Sequence, residues 1–417
     1  MADNLITSTI ILNKTMQILH NESAFLGAIN TEFNEEFAKK GMKAGATVSP
    51  RRPVQFRVRS GATASLHEVN ETSVAITVEP EFGIDFDFTE FDRTLSVDDF
   101  SKRYMAPAGK RLATELDSRI ATRFYQSVAN FSGTPGSTPS TALVMLKAGS
   151  ILDDVGSCPR DGMRTASLNP LAMAYLVDGL KGLLNDSGII GKQTRTGLLE
   201  TNLGMDFQMS QNIPTHTVGA HGGTPLVNGA TQGTTTAVAT ENPYAATTSL
   251  ATDGWTNSIT GILKKGDVVT LAGVYAVNLE NKNTLSSLKQ FVVTADVDSG
   301  ASTGPATLIL SPAIIAAGAY QNVSALPADN AAITVVSGTA STSYPQNMLF
   351  HKDAFTMVTV AMDVPRGMDM AEQITYEGVN LRFVRGYDIT NNKRISRFDI
   401  MAGYGALRPE WATRVTG

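Results

Sequence analysis

Cysteine is almost missing: Cys158 stands alone among 417 residues. That excludes an intrachain disulfide and a cysteine-ligated metal centre. Tryptophan is nearly as scarce, with only Trp255 and Trp411. Charged residues make up 18% of the chain, too few for a long coiled coil, while 42% hydrophobic residues is too many for a disordered one. Basic residues do not dominate: 34 Lys and Arg against 39 Asp and Glu leave a net charge of −5, which excludes a wholesale wrapper of nucleic acid. Nowhere does the chain hold the ~18 consecutive apolar residues of a spanning helix. The early run Ile10-Ile11-Leu12 stops at Asn13-Lys14, with no basic leader before it. The expectation is a soluble chain made in the cytoplasm, without membrane contact and long enough for two or three domains.

Arginine is missing from one whole block. Residues 211–350 hold four Lys, no Arg and seven Asp or Glu. The charged fraction there is about 8%, against about 22% in the rest of the chain. The block carries 21 Thr and 21 Ala instead. A step that abrupt marks an inserted module with a surface different from its flanks. Short strands are expected at 267–274, 290–297, 306–311 and 333–336, an all-β pattern, after a loop-like lead-in at 219–257.

What is present outside the block is strongly periodic. Helices are expected at 9–20, with Leu12, Met16 and Leu19 on one side, and at 31–40. Neither holds enough apolar surface to stand alone, so both should dock elsewhere. From 74 to 88 apolar residues at even positions alternate with Ala75, Thr77, Glu79, Glu81, Gly83, Asp85 and Asp87, and Val54, Phe56 and Val58 alternate with Gln55, Arg57 and Arg59 just upstream. The small residues 60–65 read as a turn, so the two runs form a long β-hairpin, one strand basic and the other acidic. A capping-box-like Ser96-Val97-Asp98-Asp99 precedes a helix over 107–129, with Ala108, Leu112, Leu116, Ile120, Phe124 and Val128 in one stripe and a Glu115–Arg119 pair on its flank. A loop at 132–139 leads to a helix at 141–154. Asn169-Pro170 caps another running to residue 184, and a strand follows at 203–210. Strands at 357–362, 379–385 and 394–405 resume the charged style.

The search for catalysis fails residue by residue. Gly219, Gly222, Gly223 and Gly229 are followed by no Gly-Lys-Ser/Thr. Glu79, Glu81, Asp85, Asp87, Glu90 and Asp92 are spaced as a strand face, where a metal or acid–base pair would draw on separate elements. The histidines His20, His67, His216, His221 and His351 show no ligand spacing, and His216 and His221 read as exposed loop residues. Arg160 could lower the Cys158 pKa, although a plain thiol is the favoured reading. No catalytic, cofactor or metal site is expected, and an enzyme is not.

The order of elements — arm, two-stranded extension, long helix, mixed region, returning strands — resembles the major capsid proteins of tailed bacteriophages, with the Hong Kong ninety-seven type fold. Leu203-Gly204-Met205-Asp206-Phe207 running to Ser210-Gln211-Asn212-Ile213-Pro214 is similar to that family's axial strand. The ending Arg397-Phe398-Asp399-Ile400-Met401-Ala402-Gly403-Tyr404-Gly405-Ala406-Leu407-Arg408-Pro409-Glu410 is similar to its terminal signature. Lys265-Gly266-Asp267-Val268-Val269-Thr270-Leu271-Ala272-Gly273-Val274 resembles the inserted β-barrel of the coat proteins of short-tailed Salmonella-type phages. The resemblance implies an α+β chain divided into an N-terminal arm (1–50), an E-loop (51–95), a spine helix of the peripheral domain (96–135) and the first part of an axial domain (136–221). An inserted β-barrel (222–345) and a return through the axial and peripheral domains (346–417) complete it. It further implies a virion protein that forms hexamers and pentamers of an icosahedral shell, with a scaffolding protein and portal as partners. Contact with the packaged DNA would be weak and non-specific. The candidate intersubunit contacts are Arg57, Arg59, Glu68, Glu79, Glu81, Asp85 and Asp87. A virion-surface or secreted β-rich binding protein, an adhesin or tail component, is the other reading of the Thr- and Ala-rich block.

Overall fold

The structure, a computed structural model, describes residues 8–31, 45, 47–52, 54, 56, 62, 71–87, 101–180, 199, 201–233, 242–244, 246–368, 370–388 and 393–417. The chain divides into two compact units, one of Met1–Pro50, Ala75–Ala121 and Phe355–Gly405, the other of Arg51–Val74, Thr122–Ala354 and Ala406–Gly417. In the first unit the helix Ser8–Glu22 buries Ile11, Leu12, Met16 and Leu19, the side expected from the sequence. It docks because a helix this short is marginal alone. Thr9 donates to the Glu372 carboxylate at 2.9 and 3.0 Å, and His20 meets Tyr376 edge-on. The helix crosses the long helix Ala106–Tyr125 at Gly109, where a Cβ would come within 3.0 Å of Ile18 and 3.2 Å of the Thr15 carbonyl. Beyond it, the buried Asp117 carboxylate accepts bonds from the Ser23 hydroxyl and the Ala24 and Phe25 amides, ending the helix and turning the chain.

The main sheet of this unit has four antiparallel strands in the order Met370–Tyr376, Val379–Asp388, Lys393–Ile400, Phe82–Asp87. Its apolar face stacks Phe398 between Phe86 and Phe383, with ring centroids 5.7 and 5.1 Å apart. Gly83 opposite Asp399 lies so close to the next strand that a Cβ would stand 1.9 Å from the Phe398 carbonyl oxygen. A small cluster of Val78, Val360, Met362 and Met401 fills the space beside the pair Phe355–Thr359 and Ala402–Ala406.

In the second unit a five-stranded mixed sheet runs in the order Phe131–Ser132, Ala412–Val415, Asn347–His351, Arg164–Leu168, Asp206–Met209. Helices Ala142–Asp154 and Pro170–Leu180 pack on it through Met145, Leu152, Met173, Leu176 and Leu180. Asn169 caps the second helix as its sequence requires, its side-chain oxygen accepting the Ala172 amide at 2.9 Å. The low-charge block forms a six-stranded sheet in the order Ile333–Val335, Val268–Val277, Thr284–Val293, Ala306–Ser311, Thr248–Trp255, Gly223–Val227. Its two end strands meet: the Val227 amide donates to the Ala331 carbonyl at 3.0 Å and the Asn330 amide to the Val227 carbonyl at 2.9 Å, closing a barrel. The barrel is filled by residues such as Leu250, Trp255, Leu271, Phe291, Leu308 and Ile314.

Two expectations need correction. The lead-in at 219–257 holds two of the six barrel strands. Its apolar alternation is masked because Thr252 points inward, accepting from Trp255 Nε1 at 2.8 Å and donating to the Ala306 carbonyl at 2.8 Å. The acidic run 74–88 is not one strand of a single hairpin. Ile76–Thr77 pairs with Thr47–Val48 and Ser73 with Arg51, but Phe82–Asp87 pairs with Lys393–Ile400. Pro80 has no amide to continue the first ladder. The expected helix at 31–40 beyond Thr31, the turn at 60–65 except Ala62, the capping box 96–99 and the helix end at 181–184 lie outside the described residues.

Candidate functional site: a charged sheet face

Of the acidic residues singled out in the sequence, Glu79, Glu81, Asp85 and Asp87 lie on or beside the edge strand of the four-stranded sheet, and arginines of the same chain reach the first three, while Glu90 and Asp92 lie outside the described residues. Alternation along Phe82–Asp87 turns Phe82, Ile84 and Phe86 to the half-buried face and Gly83, Asp85 and Asp87 to the exposed one. Asp85 sits opposite Arg397 and Gly83 opposite Asp399. The buried Asp399 carboxylate is shared: Arg382 Nη2 and Nε reach one oxygen at 2.7 and 3.2 Å, and Arg397 Nη2 and Nε the other at 2.7 and 2.9 Å. The same guanidinium groups approach Glu81 at 3.2 and 3.4 Å, and Arg397 lies 3.8 Å from Asp85. Bonding to Asp399 raises the Arg397 pKa above its ordinary value against the opposing effect of burial, with Asp85 and Glu81 adding to the rise. Glu79 is served separately by Arg119 at 3.8 Å; Arg119 also bonds Glu115 at 2.9 Å, the pair expected on the helix flank, and lies over the Phe82 ring.

Five groups thus form one network in which three carboxylates, Glu81, Asp85 and Asp399, face two guanidiniums. Asp87 is exposed and makes no ion pair among the described residues. Arg57, Arg59 and Glu68 lie outside the described residues. The internal partners Arg382, Arg397 and Asp399 were not identified from sequence. Their signal was available, since Arg382 and Arg397 stand at alternating positions of runs that read as strands, but register decides which charges meet.

Other titratable groups among the described residues are held by internal bonds. His216 is buried, not exposed: its Nε2 lies 2.9 Å from Asp267, which also accepts the Lys264 and Gly219 amides and the Ser337 hydroxyl. Burial alone would raise the Asp267 pKa, but the bonds from His216 and the two amides hold it below the ordinary value. His221 meets the Gly338 carbonyl at 3.1 Å and His351 the Asp161 carboxylate at 3.1 Å. Burial pushes the Cys158 thiol up to about 11, overcoming the nearby Arg164, while Arg160 is engaged by Asp153; the thiol is therefore no nucleophile near neutral pH. Lys289 is brought down to about 8 by burial despite Glu410, and burial raises Glu410 against the pull of Arg52, Arg408 and Lys289. Among the described residues no group of three His, Cys, Asp or Glu could hold a metal ion, and no helix is long and apolar enough to cross a membrane.

The face is a network of charges on an exposed sheet surface. Comparison with known proteins bears on the chain as a whole. The family model described as P22 coat protein, gene protein 5, matches residues 3–417. The major capsid protein of Acyrthosiphon pisum secondary endosymbiont phage 1 is 22% identical over 386 residues, 89% of each chain. A solved chain of Mycobacterium phage Che8 covers 94% of this chain and 90% of its own at 15% identity, with a TM-score of 0.44. The CUS-3 coat protein I-domain is 25% identical over 28% of this chain and 97% of its own, with a TM-score of 0.20. With the model spanning all but the first two residues, this chain belongs to the P22 coat protein family and is the major capsid protein of a phage, a subunit of its head shell.

Proposed function

We propose that this subunit assembles into the hexamers and pentamers of an icosahedral head that encloses the DNA genome. A scaffolding protein and a portal are its assembly partners, and the host cytoplasm is the place of synthesis. The family match over residues 3–417 carries the reading. Contact with DNA is weak and sequence-blind, in keeping with a net charge of −5. The role calls for no catalytic group. The chain is divided as arm 1–50, E-loop 51–95, spine segment 96–135, axial segment 136–221, inserted barrel 222–345 and return 346–417.

Between subunits, Arg57 and Arg59 of one copy meet the acidic sheet face of a neighbour, with Glu68, Glu79, Glu81, Asp85 and Asp87 as further contacts. What supports this is the excess of carboxylates on that face: Arg382 and Arg397 serve Asp399 and Glu81 first, and Asp85 keeps a side chain 71% exposed. Each exposed contact is weak, but a closed lattice repeats it many times. Expression with the scaffold should give hollow particles in negative-stain microscopy, and a strictly monomeric or dimeric product would refute the assembly reading. Arg57→Glu with Arg59→Glu should lower particle yield at least several-fold, because a loss of up to about 1 kcal/mol per exposed contact is repeated around the lattice. The monomer's circular dichroism should not change. Adding Asp85→Arg with Asp87→Arg should restore part of the yield. Wild-type yield from the double arginine variant would remove those two residues from the interface.

A further inference from the structure

Asn228 is the only asparagine of the chain that is followed by glycine. The pair is chemically labile, because Gly229 puts no side chain beside the nitrogen that can attack the Asn228 carboxamide. Asn228 is exposed and directly follows Gly223–Val227, the strand at one end of the barrel sheet's order. The peptide joining the two residues is held on both sides by side chains. The Gly229 amide donates to Asp329 Oδ1 at 2.8 Å, and Gln232 Nε2 donates to the Asn228 carbonyl at 2.8 Å. Both holders are themselves fixed. The other Asp329 oxygen accepts Asn330 Nδ2 at 3.0 Å, and Gln232 Oε1 accepts the Ala251 amide at 2.6 Å. The Asn228 amide is tied in turn to the Ala251 carbonyl at 3.0 Å.

Released from these bonds, the pair needs only water to react. The Gly229 nitrogen gives up its proton and attacks Asn228 Cγ. The new C–N bond closes a five-membered imide, and the Cγ–Nδ2 bond breaks to expel ammonia. Water then opens the imide at either carbonyl, and nothing is oxidised or reduced. Cleavage at Cγ leaves an ordinary aspartate; cleavage at the main-chain carbonyl leaves isoaspartate, with one more carbon in the backbone. Asp329 opposes the first step, since its bond keeps the proton on the Gly229 nitrogen and its charge disfavours the anion that nitrogen must become. The place gives the reaction a consequence. The barrel closes here, through the Val227 amide on the Ala331 carbonyl and the Asn330 amide on the Val227 carbonyl. Conversion puts a carboxylate one residue from the amide that Asp329 holds, and isoaspartate also lengthens the chain just past the seam. Like-charge repulsion and a shifted register both work against the two closing bonds.

We propose that Asn228-Gly229 is a self-modification site of the shell subunit, that Asp329 and Gln232 hold it back, and that its conversion loosens the barrel seam. The test ages the full chain in mildly alkaline buffer and follows the peptide containing residues 228 and 229 by mass spectrometry. The mass reads the replacement of amide by acid, and chromatographic retention separates aspartate from isoaspartate. Wild-type protein unfolded in urea should convert more than about tenfold faster than folded protein. Folded Asp329→Ala, without its charge-assisted bond, should convert about tenfold faster than folded wild type. Asp329→Asn, which keeps an acceptor without the charge, should fall between the two. In hydrogen exchange, aged wild type should lose protection at the Val227 and Asn330 amides, while Asn228→Gln aged in the same way should keep it. Equal conversion in folded and unfolded wild type overturns the proposal; this comparison needs no variant and decides the matter if Asp329→Ala does not fold. So does an unchanged rate in folded Asp329→Ala, or converted protein whose Val227 and Asn330 amides exchange as slowly as before.

Discussion

Removing the Asp399 carboxylate would strand two guanidinium groups at once, because Arg382 and Arg397 each spend two nitrogens on it. Asp399 is fully buried, but Arg382 and Arg397 keep 16% and 42% of their side chains exposed, so the cost lies at the lower end of the about 3–5 kcal/mol of a buried pair. Asp87 is exposed and makes no ion pair among the described residues. It belongs to the opposite regime, where a surface charge is worth about 0–1 kcal/mol. Asp399→Asn should therefore lower unfolding stability in urea by about 3 kcal/mol, while Asp87→Asn should change it by less than about 0.5 kcal/mol. Equal small effects would mean that the arginines find other partners, Glu81 and Asp85 being nearest. The contrast separates the buried carboxylate, which ties Arg382 to Arg397, from the exposed ones, which are proposed for contact with a neighbouring subunit.

At the scale of elements, the crossing of Ser8–Glu22 over the long helix rests on the absence of a side chain at Gly109. Alanine there would gain about 1 kcal/mol of helix propensity and lose a similar amount against Ile18 and the Thr15 carbonyl, so Gly109→Ala should be nearly neutral. Gly109→Val has no such gain, and overpacking costs about 1–3 kcal/mol. Its expected result is faster proteolytic release of the N-terminal helix with the barrel left intact; an unchanged cleavage pattern would show that the crossing can widen freely. The two helices themselves were legible, since Leu12, Met16 and Leu19 and the stripe Leu112, Leu116, Ile120 and Phe124 are buried as their spacing required, although the long helix ends at Tyr125, short of the expected 129. The pairing partner of Phe82–Asp87 was not, because alternation reports which face is apolar and says nothing about which distant strand completes the ladder. The barrel strand Thr248–Trp255 escaped for a different reason: an inward Thr252 satisfied by hydrogen bonds looks polar in sequence and is core in space. In the charged face, Glu81, Asp85 and Asp87 were found by their period, whereas Asp399, Arg382 and Arg397 became visible as partners only once the register was known.

For the whole molecule, the step in charge density follows a step in architecture: the block without arginine is the one that closes into a barrel. A closed barrel has no free edge and needs few charged residues to prevent wrong strand pairing, which is consistent with a surface of Thr, Ser and Asn. Its core, from Val227 to Ile333, shares no residue with the core beneath helices Ala142–Asp154 and Pro170–Leu180. The ties between barrel and sheet include polar ones, among them Gln290 to Phe131 and Arg414 to Gly266. Residues 222–345 expressed alone should therefore fold to a β spectrum in circular dichroism and melt cooperatively. The isolated piece leaves Lys289 without Glu410, but a lysine freed from burial regains water, so this loss should not prevent folding. A random-coil spectrum would mean that the barrel depends on the host sheet, and that the polar ties, rather than the shared absence of charge, define the module.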